Sequence, residues 1–76
     1  MADTLRVQLV KLGRAVAAAR RARGFSQEDF AEECEVHRNH IGQIERGEVN
    51  VSFASLRKVA RGARVRLSVL IGQAGL

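Results

Sequence analysis

Leu5, Leu9, Leu12, Val16 and Ala19 recur at spacings of four, three, four and three, the apolar stripe of an α-helix. Asp3 or Thr4 can cap its start, and Gly24 stands where a left-handed C-terminal cap belongs. Gly13 lies inside this helix and costs about 1 kcal/mol relative to alanine. A second helix is expected over about Gln27 to Cys34. Ser26 can accept from the amides of its first turn, Asp29 can reach back as a weak capping-box partner, and Phe25 and Phe30 flank the cap at staple positions. After a break at Glu35 and Val36, a third helix begins at His37, turns Ile41 and Ile44 inward and ends at Gly47. Glu48 to Val51 reads as a loop. Ser52 caps a fourth helix with Leu56, Val59 and Ala60 inward, and a fifth short helix uses Leu67, Leu70 and Ile71. The pattern predicts an all-α chain of five short helices, one domain over residues 1–76.

Length and composition narrow this picture. A chain of 76 residues has room for one core and buries only roughly 60–65% of its unfolded surface. It therefore relies on regular helix packing or on a partner. Cys34 is the only cysteine, so an intrachain disulfide framework is excluded. The absence of proline, tryptophan and tyrosine argues against an all-β sandwich and against an RNA reader built on stacked aromatics. The longest apolar run, Ala15 to Ala19, falls far short of the ~20 residues of a membrane span. With no signal-peptide pattern, the expectation is a cytoplasmic protein without membrane association.

Charge points to the partner. Thirteen basic residues, eleven of them arginine, face eight acidic ones, for a net charge of +5. So basic a small chain suits a polyanion, nucleic acid first. The charge is segregated: residues 5–23 hold six basic and no acidic side chains, residues 28–35 hold five acidic ones, and residues 57–66 hold five basic ones.

Residues 27–45 have the spacing of a helix-turn-helix. The fifth position, where two helices cross closely, is the small Ala31, and the fifteenth, which packs back under the second helix, is Ile41. The following helix must show a polar outer face to enter a major groove. The runs Gly24-Phe25-Ser26-Gln27-Glu28-Asp29-Phe30-Ala31 and Val36-His37-Arg38-Asn39-His40-Ile41-Gly42-Gln43-Ile44-Glu45-Arg46-Gly47 resemble the Cro/C1-type, Xre-like helix-turn-helix DNA-binding family over about residues 9–71. The stretch from Val36 to Ser52 further resembles the small controller proteins of restriction–modification systems. The resemblance implies a five-helix, lambda-repressor-like fold.

It also implies roles, position by position. Arg38, Asn39 and Gln43 correspond to base-contacting residues. Arginine can donate bidentately to guanine, and asparagine or glutamine can pair with adenine. Gln27 corresponds to a phosphate clamp, and Arg46 and Asn50 fall where the following loop meets the sugar-phosphate backbone. From the residues themselves, His37 is expected as an N-terminal cap or on the phosphate side, and His40 is placed with the backbone contacts, against a base contact or plain solvent exposure. Arg20 and Glu45 match a structural ion pair between the first and third helices. Two departures stand out: Glu35 and Arg64 replace glycines that the family places in turns. A left-handed non-glycine costs roughly 1 kcal/mol, and altered turns would change the tilt of the third helix and the placement of the fifth. Gly42, on the outer side of the third helix, leaves room for a close backbone approach or is a tolerated weak spot.

The expected function is a sequence-specific transcriptional regulator of double-stranded DNA, acting as a homodimer on a pseudo-palindromic operator. Leu67, Val69, Leu70, Ile71 and Leu76, with Val51 and Phe53, form the candidate dimer surface, centred on Val51, Phe53, Leu67, Leu70 and Ile71; the alternative is that they only close the monomer's core. The acidic second helix is a candidate surface for an activation partner such as RNA polymerase, against plain solubility. Two rival readings are an antitoxin-like protein-interaction module and a non-specific nucleic-acid coat, the latter predicting a salt slope without sequence preference. Cys34, His37 and His40 form a Cys-x2-His-x2-His spacing, but a fourth ligand is missing and the cysteine should face the core, so no metal is expected. No cofactor is expected either, and with no phosphate-binding glycine loop and no nucleophile beside a base, the chain is not expected to be an enzyme.

Overall fold

The first four helices start where a side-chain cap is encoded. Asp3 accepts from the Leu5 amide and opens α1 (Thr4–Ala22). Ser26 accepts from the Asp29 amide and opens α2 (Gln27–Cys34). His37 accepts through Nδ1 from the Asn39 amide and opens α3 (Arg38–Glu45). Ser52 accepts from the Ser55 amide and opens α4 (Phe53–Ala63). α5 (Leu67–Gln73) starts at Arg66 without a side-chain cap. These five helices, and no strand, make up the regular structure of residues 3–76, which the computed structural model describes. Met1 and Ala2 of the expected domain lie outside the described residues.

The Ser26 cap is the single arm of the expected box that forms: no return bond from Asp29 occurs among the described residues. The staple is present, with the Phe25 and Phe30 rings 6.0 Å apart, and it fixes the angle at which the chain enters α2.

One apolar cluster draws on all five helices, with Val16, Phe30, Cys34, Ile41, Ile44, Val59 and Leu70 fully enclosed. Burying each of the larger side chains contributes about 1.5–3 kcal/mol. The α1 stripe engages this core from Leu12 onward. Leu5 departs from expectation: it is 50% exposed, because the first turns of α1 project beyond the helices that cover the rest of the stripe.

Close approaches explain two glycines. A Cβ on Gly13 would collide with the carbonyl oxygens of Ile44 and Glu45, so the glycine that weakens α1 is what lets α3 lie against it. A Cβ on Gly62 would collide with the Cys34 sulfur, at the crossing of α2 and α4. Glu35 and Arg64 both adopt left-handed backbone, with φ of 59° and 58°. The turns therefore keep the shape that glycine would give, at a cost of about 1 kcal/mol each.

Candidate nucleic-acid interface

α2 and α3 meet across the Glu35 turn, with Ala31 buried at their crossing and Ile41 and Ile44 buried beneath α3. That packing leaves the opposite side of α3 facing outward. Arg38, Asn39 and Gln43 are all exposed on it. With Gln27 and Glu28 at the start of α2, and with Gly42 and Arg46, they line one polar groove. A helix with its side chains is about 10–12 Å across, which fits the width of a B-DNA major groove, about 12 Å.

The groove is pre-set by ion pairs. Arg20 Nε donates to Glu45 Oε2 at 2.7 Å and Arg20 Nη2 to Glu45 Oε1 at 3.1 Å. Nη1 of the same guanidinium donates to the Phe25 carbonyl at 2.8 Å. Glu45 Oε1 also accepts from Gln27 Nε2 at 2.9 Å. One carboxylate thus ties the ends of α1, α2 and α3 together, and it orients the Gln27 amide at the rim of the groove. The pair expected between Arg20 and Glu45 is present in the structure; its link to Gln27 carries no signal in the sequence, since the residues lie 18 positions apart.

The remaining site residues are distributed less simply. Arg38 approaches Glu28 at 3.5 Å, both exposed, so the guanidinium is aimed along the groove by a solvated and exchangeable contact. Arg46 Nε pairs with Glu48 at 3.0 Å. The hydrogen bond from Arg46 is the main cause that holds the Glu48 carboxyl below its ordinary range, and Glu48 in turn raises the Arg46 guanidinium. The Arg46 guanidinium lies over Gly42, with Nη1 3.0 Å from the position a Cβ would take. The space beside Gly42 is therefore covered by Arg46. His37 is spent as the α3 cap through Nδ1, and its Nε2 is left for an outside acceptor. Asn50 is exposed in the loop after α3.

His40 packs toward the next helix. Its Nε2 lies 3.2 Å from Ser55 Oγ, and Ser52 Oγ donates to that same hydroxyl at 3.1 Å. The ring thereby joins α3 to α4. Leu70 corrects an expectation: it is 0% exposed and belongs to the core, because the α5 stripe closes the bundle at that position. Val51, Leu67 and Ile71 are half-buried against the same core. Phe53, at 68% exposed, stands clear of it, as do Val69 and Leu76.

A second groove adjoins the first. It is lined by Arg14, Ala17 and Arg21 of α1 with Gln27, Glu45 and Arg46, and it shares Gln27 and Arg46 with the α3 groove. The six basic residues of positions 5–23 look like a solvated helix face in the sequence. The spacing of seven between Arg14 and Arg21 is the signal that puts both on one side of α1.

Cys34 is enclosed, and burial, with a smaller push from Glu33, raises its thiol from 9.0 to about 11. It is a packing residue with an inert thiol. Among the described residues no cluster of metal-ligating side chains occurs, and no helix is long and apolar enough to cross a membrane.

Residues 16–70 match the helix-turn-helix family HTH_3, and the chain belongs to that family. Within it, the chain is similar to restriction–modification controller proteins. It is 43% identical over 42 residues to the control protein C.BamHI of Bacillus amyloliquefaciens, a match covering 55% of this chain and 52% of that protein. The matched segment thus spans about half the length of that relative. The structure superposes on the restriction-modification controller protein C.AhdI from Aeromonas hydrophila with a TM-score of 0.79 and 35% identity, covering 82% of this chain and 94% of that one. It superposes on the restriction-modification controller protein C.Esp1396I with a TM-score of 0.81 and 27% identity, covering 96% and 90% of the two chains.

Proposed function

We propose that this protein is a sequence-specific DNA-binding transcription regulator that inserts α3 into the major groove, and that it controls a restriction–modification operon, its own genes included. The observation that carries this reading is the uncovered polar face of Arg38, Asn39 and Gln43, held on a helix whose other face is locked by Ile41 and Ile44. Base readout needs donors and acceptors on a rigid support, and each bidentate contact supplies about 1–3 kcal/mol of discrimination. Gln27, His37, Arg46 and Asn50 flank that face and are suited to backbone phosphates, which set register rather than sequence. The likeness to three controller proteins supports the operon assignment.

One α3 reads only a few base pairs, which is too little for the ~10³–10⁷ specificity ratio of a regulator. A homodimer doubles the contacts and sets half-sites about 34–36 Å apart on a pseudo-palindrome. Besides Leu5 and Val7 on α1, the exposed large apolar side chains among the described residues are Phe53, Val69 and Leu76, and these three, near the candidate surface, are available for that contact.

Selection of bound duplexes from a random-sequence pool tests the reading. The expected result is an enriched, two-fold symmetric site. Arg38→Ala and Gln43→Ala should each lose preference at one base position per half-site, by about 1–3 kcal/mol, while weak salt-sensitive binding remains. An enriched site that both variants bind unchanged would remove α3 as the reading element.

A further inference from the structure

We propose that Arg14 and Arg21 of α1 form, with Arg46 and Gln27, a phosphate cradle that grips the DNA backbone beside the groove read by α3. This rests on the DNA-binding reading above and extends the contact surface to a helix outside the helix-turn-helix.

Three observations converge. First, Arg14 and Arg21 sit two turns apart on α1 with Ala17 between them, and all three line one groove with the start of α2 and the end of α3. The small side chain of Ala17 leaves the floor between the two guanidiniums open. Second, the groove is continuous with the α3 groove, because Gln27 and Arg46 line both. A strand passing the rim at Gln27 reaches the α1 arginines without leaving the surface. Third, the two α1 charges there are not neutralised from within. Glu45 is the carboxylate of this groove, and it is engaged by Arg20 and Gln27. Arg20, Arg23, Arg38, Arg46 and Arg61 each pair with a carboxylate, whereas among the described residues Arg14 and Arg21 pair with none.

Uncompensated guanidiniums gathered around a small-residue floor repel one another and gain most from a polyanion. The planar donor fork of arginine matches phosphate oxygens in particular. The positive end of α2 adds to the same field at Gln27. An isolated phosphate would satisfy the cradle's charge but not its continuity with the α3 groove. The backbone of the duplex that α3 enters satisfies both.

The test compares the full-length double variant Arg14→Gln/Arg21→Gln with Arg64→Gln/Arg66→Gln. The latter removes the same charge at the turn between α4 and α5, outside both grooves. Affinity for a selected site and for a scrambled duplex is measured against salt concentration. Each lost phosphate contact lowers the slope of log K against log salt by about 0.9. The cradle variant should therefore show a slope shallower by about 2 per protomer on both duplexes, with its preference for the selected site intact, and the control should keep the wild-type slope. Circular dichroism checks that both variants are folded, and the single variants Arg14→Gln and Arg21→Gln should each show half the change. An unchanged slope in the cradle variant, or an equal change in both double variants, would overturn the proposal. Because the scrambled duplex reads backbone contact alone, a wild-type protein without sequence preference would count against the functional reading while the slopes still judge the cradle.

Discussion

Arg20 and Glu45 form a two-point ion pair whose side chains are only 10% and 6% exposed, and the same arginine holds the Phe25 carbonyl. The pair joins the end of the long first helix to the end of α3, so the angle of α3 depends on it. A buried pair contributes little net stability, but removing one partner strands a charge. Glu45→Ala and Arg20→Ala should each cost about 3–5 kcal/mol, read as a lower urea midpoint. Arg20→Lys should also weaken folding, since lysine keeps the charge and loses the fork.

Gly62 and Cys34 are coupled by contact. Gly62→Ala drives a methyl into the Cys34 sulfur and should cost about 1–3 kcal/mol as overpacking. Cys34→Ala removes the obstruction and leaves the Cys34 Cβ 3.3 Å from the new methyl. The double variant should therefore be more stable than the sum of the two single losses, with a coupling energy of about 0.5–3 kcal/mol measured by a denaturation cycle.

The Cys34 thiol gives a pH dependence. Its folded value of about 11 lies above 9.0, so between these values the folded chain holds a proton that the unfolded chain releases. Stability is full below pH 9 and falls as pH rises through this window. Comparing urea midpoints at pH 8 and pH 10 should reveal a loss in the wild type that is smaller in Cys34→Ala.

Arg64 occupies a left-handed position at φ 58° and, among the described residues, pairs with no carboxylate. Arg64→Gly should raise stability by about 1 kcal/mol by relieving the Cβ clash, less the extra freedom glycine gives the unfolded chain. Glu35→Gly should gain less, because it also gives up the exposed 3.1 Å contact with Arg61. Thermal unfolding should rank the two in that order.

Phe53 and Leu70 separate association from folding. Phe53→Asp alters an exposed ring and should leave helicity intact while sedimentation reports monomers. Leu70→Asp puts a carboxylate into the core and should abolish cooperative unfolding at neutral pH. A dimer that persists in Phe53→Asp would exclude this ring from the interface.

Local signals made much of this protein legible from its residues alone. The 3.6-residue periodicity, Ser26 and Ser52 as caps, and the glycines at 24 and 47 delimit the helices, because capping and amphipathicity act over one or two turns. The same spacing brings Arg38, Asn39 and Gln43 to one side of α3, and the family signature assigns the Arg20–Glu45 pair. Long-range packing settled the rest. Periodicity marks Leu5 and Leu70 alike as inward, yet one lies beyond the end of the bundle and the other at its centre, a difference set by where neighbouring helices stop. His40 is turned to Ser55 and Gln27 to Glu45 by partners 15 and 18 residues away, and no local pattern encodes such contacts. Arg14 and Arg21 look like any solvated arginines until folding carries Gln27 and Arg46 to their side.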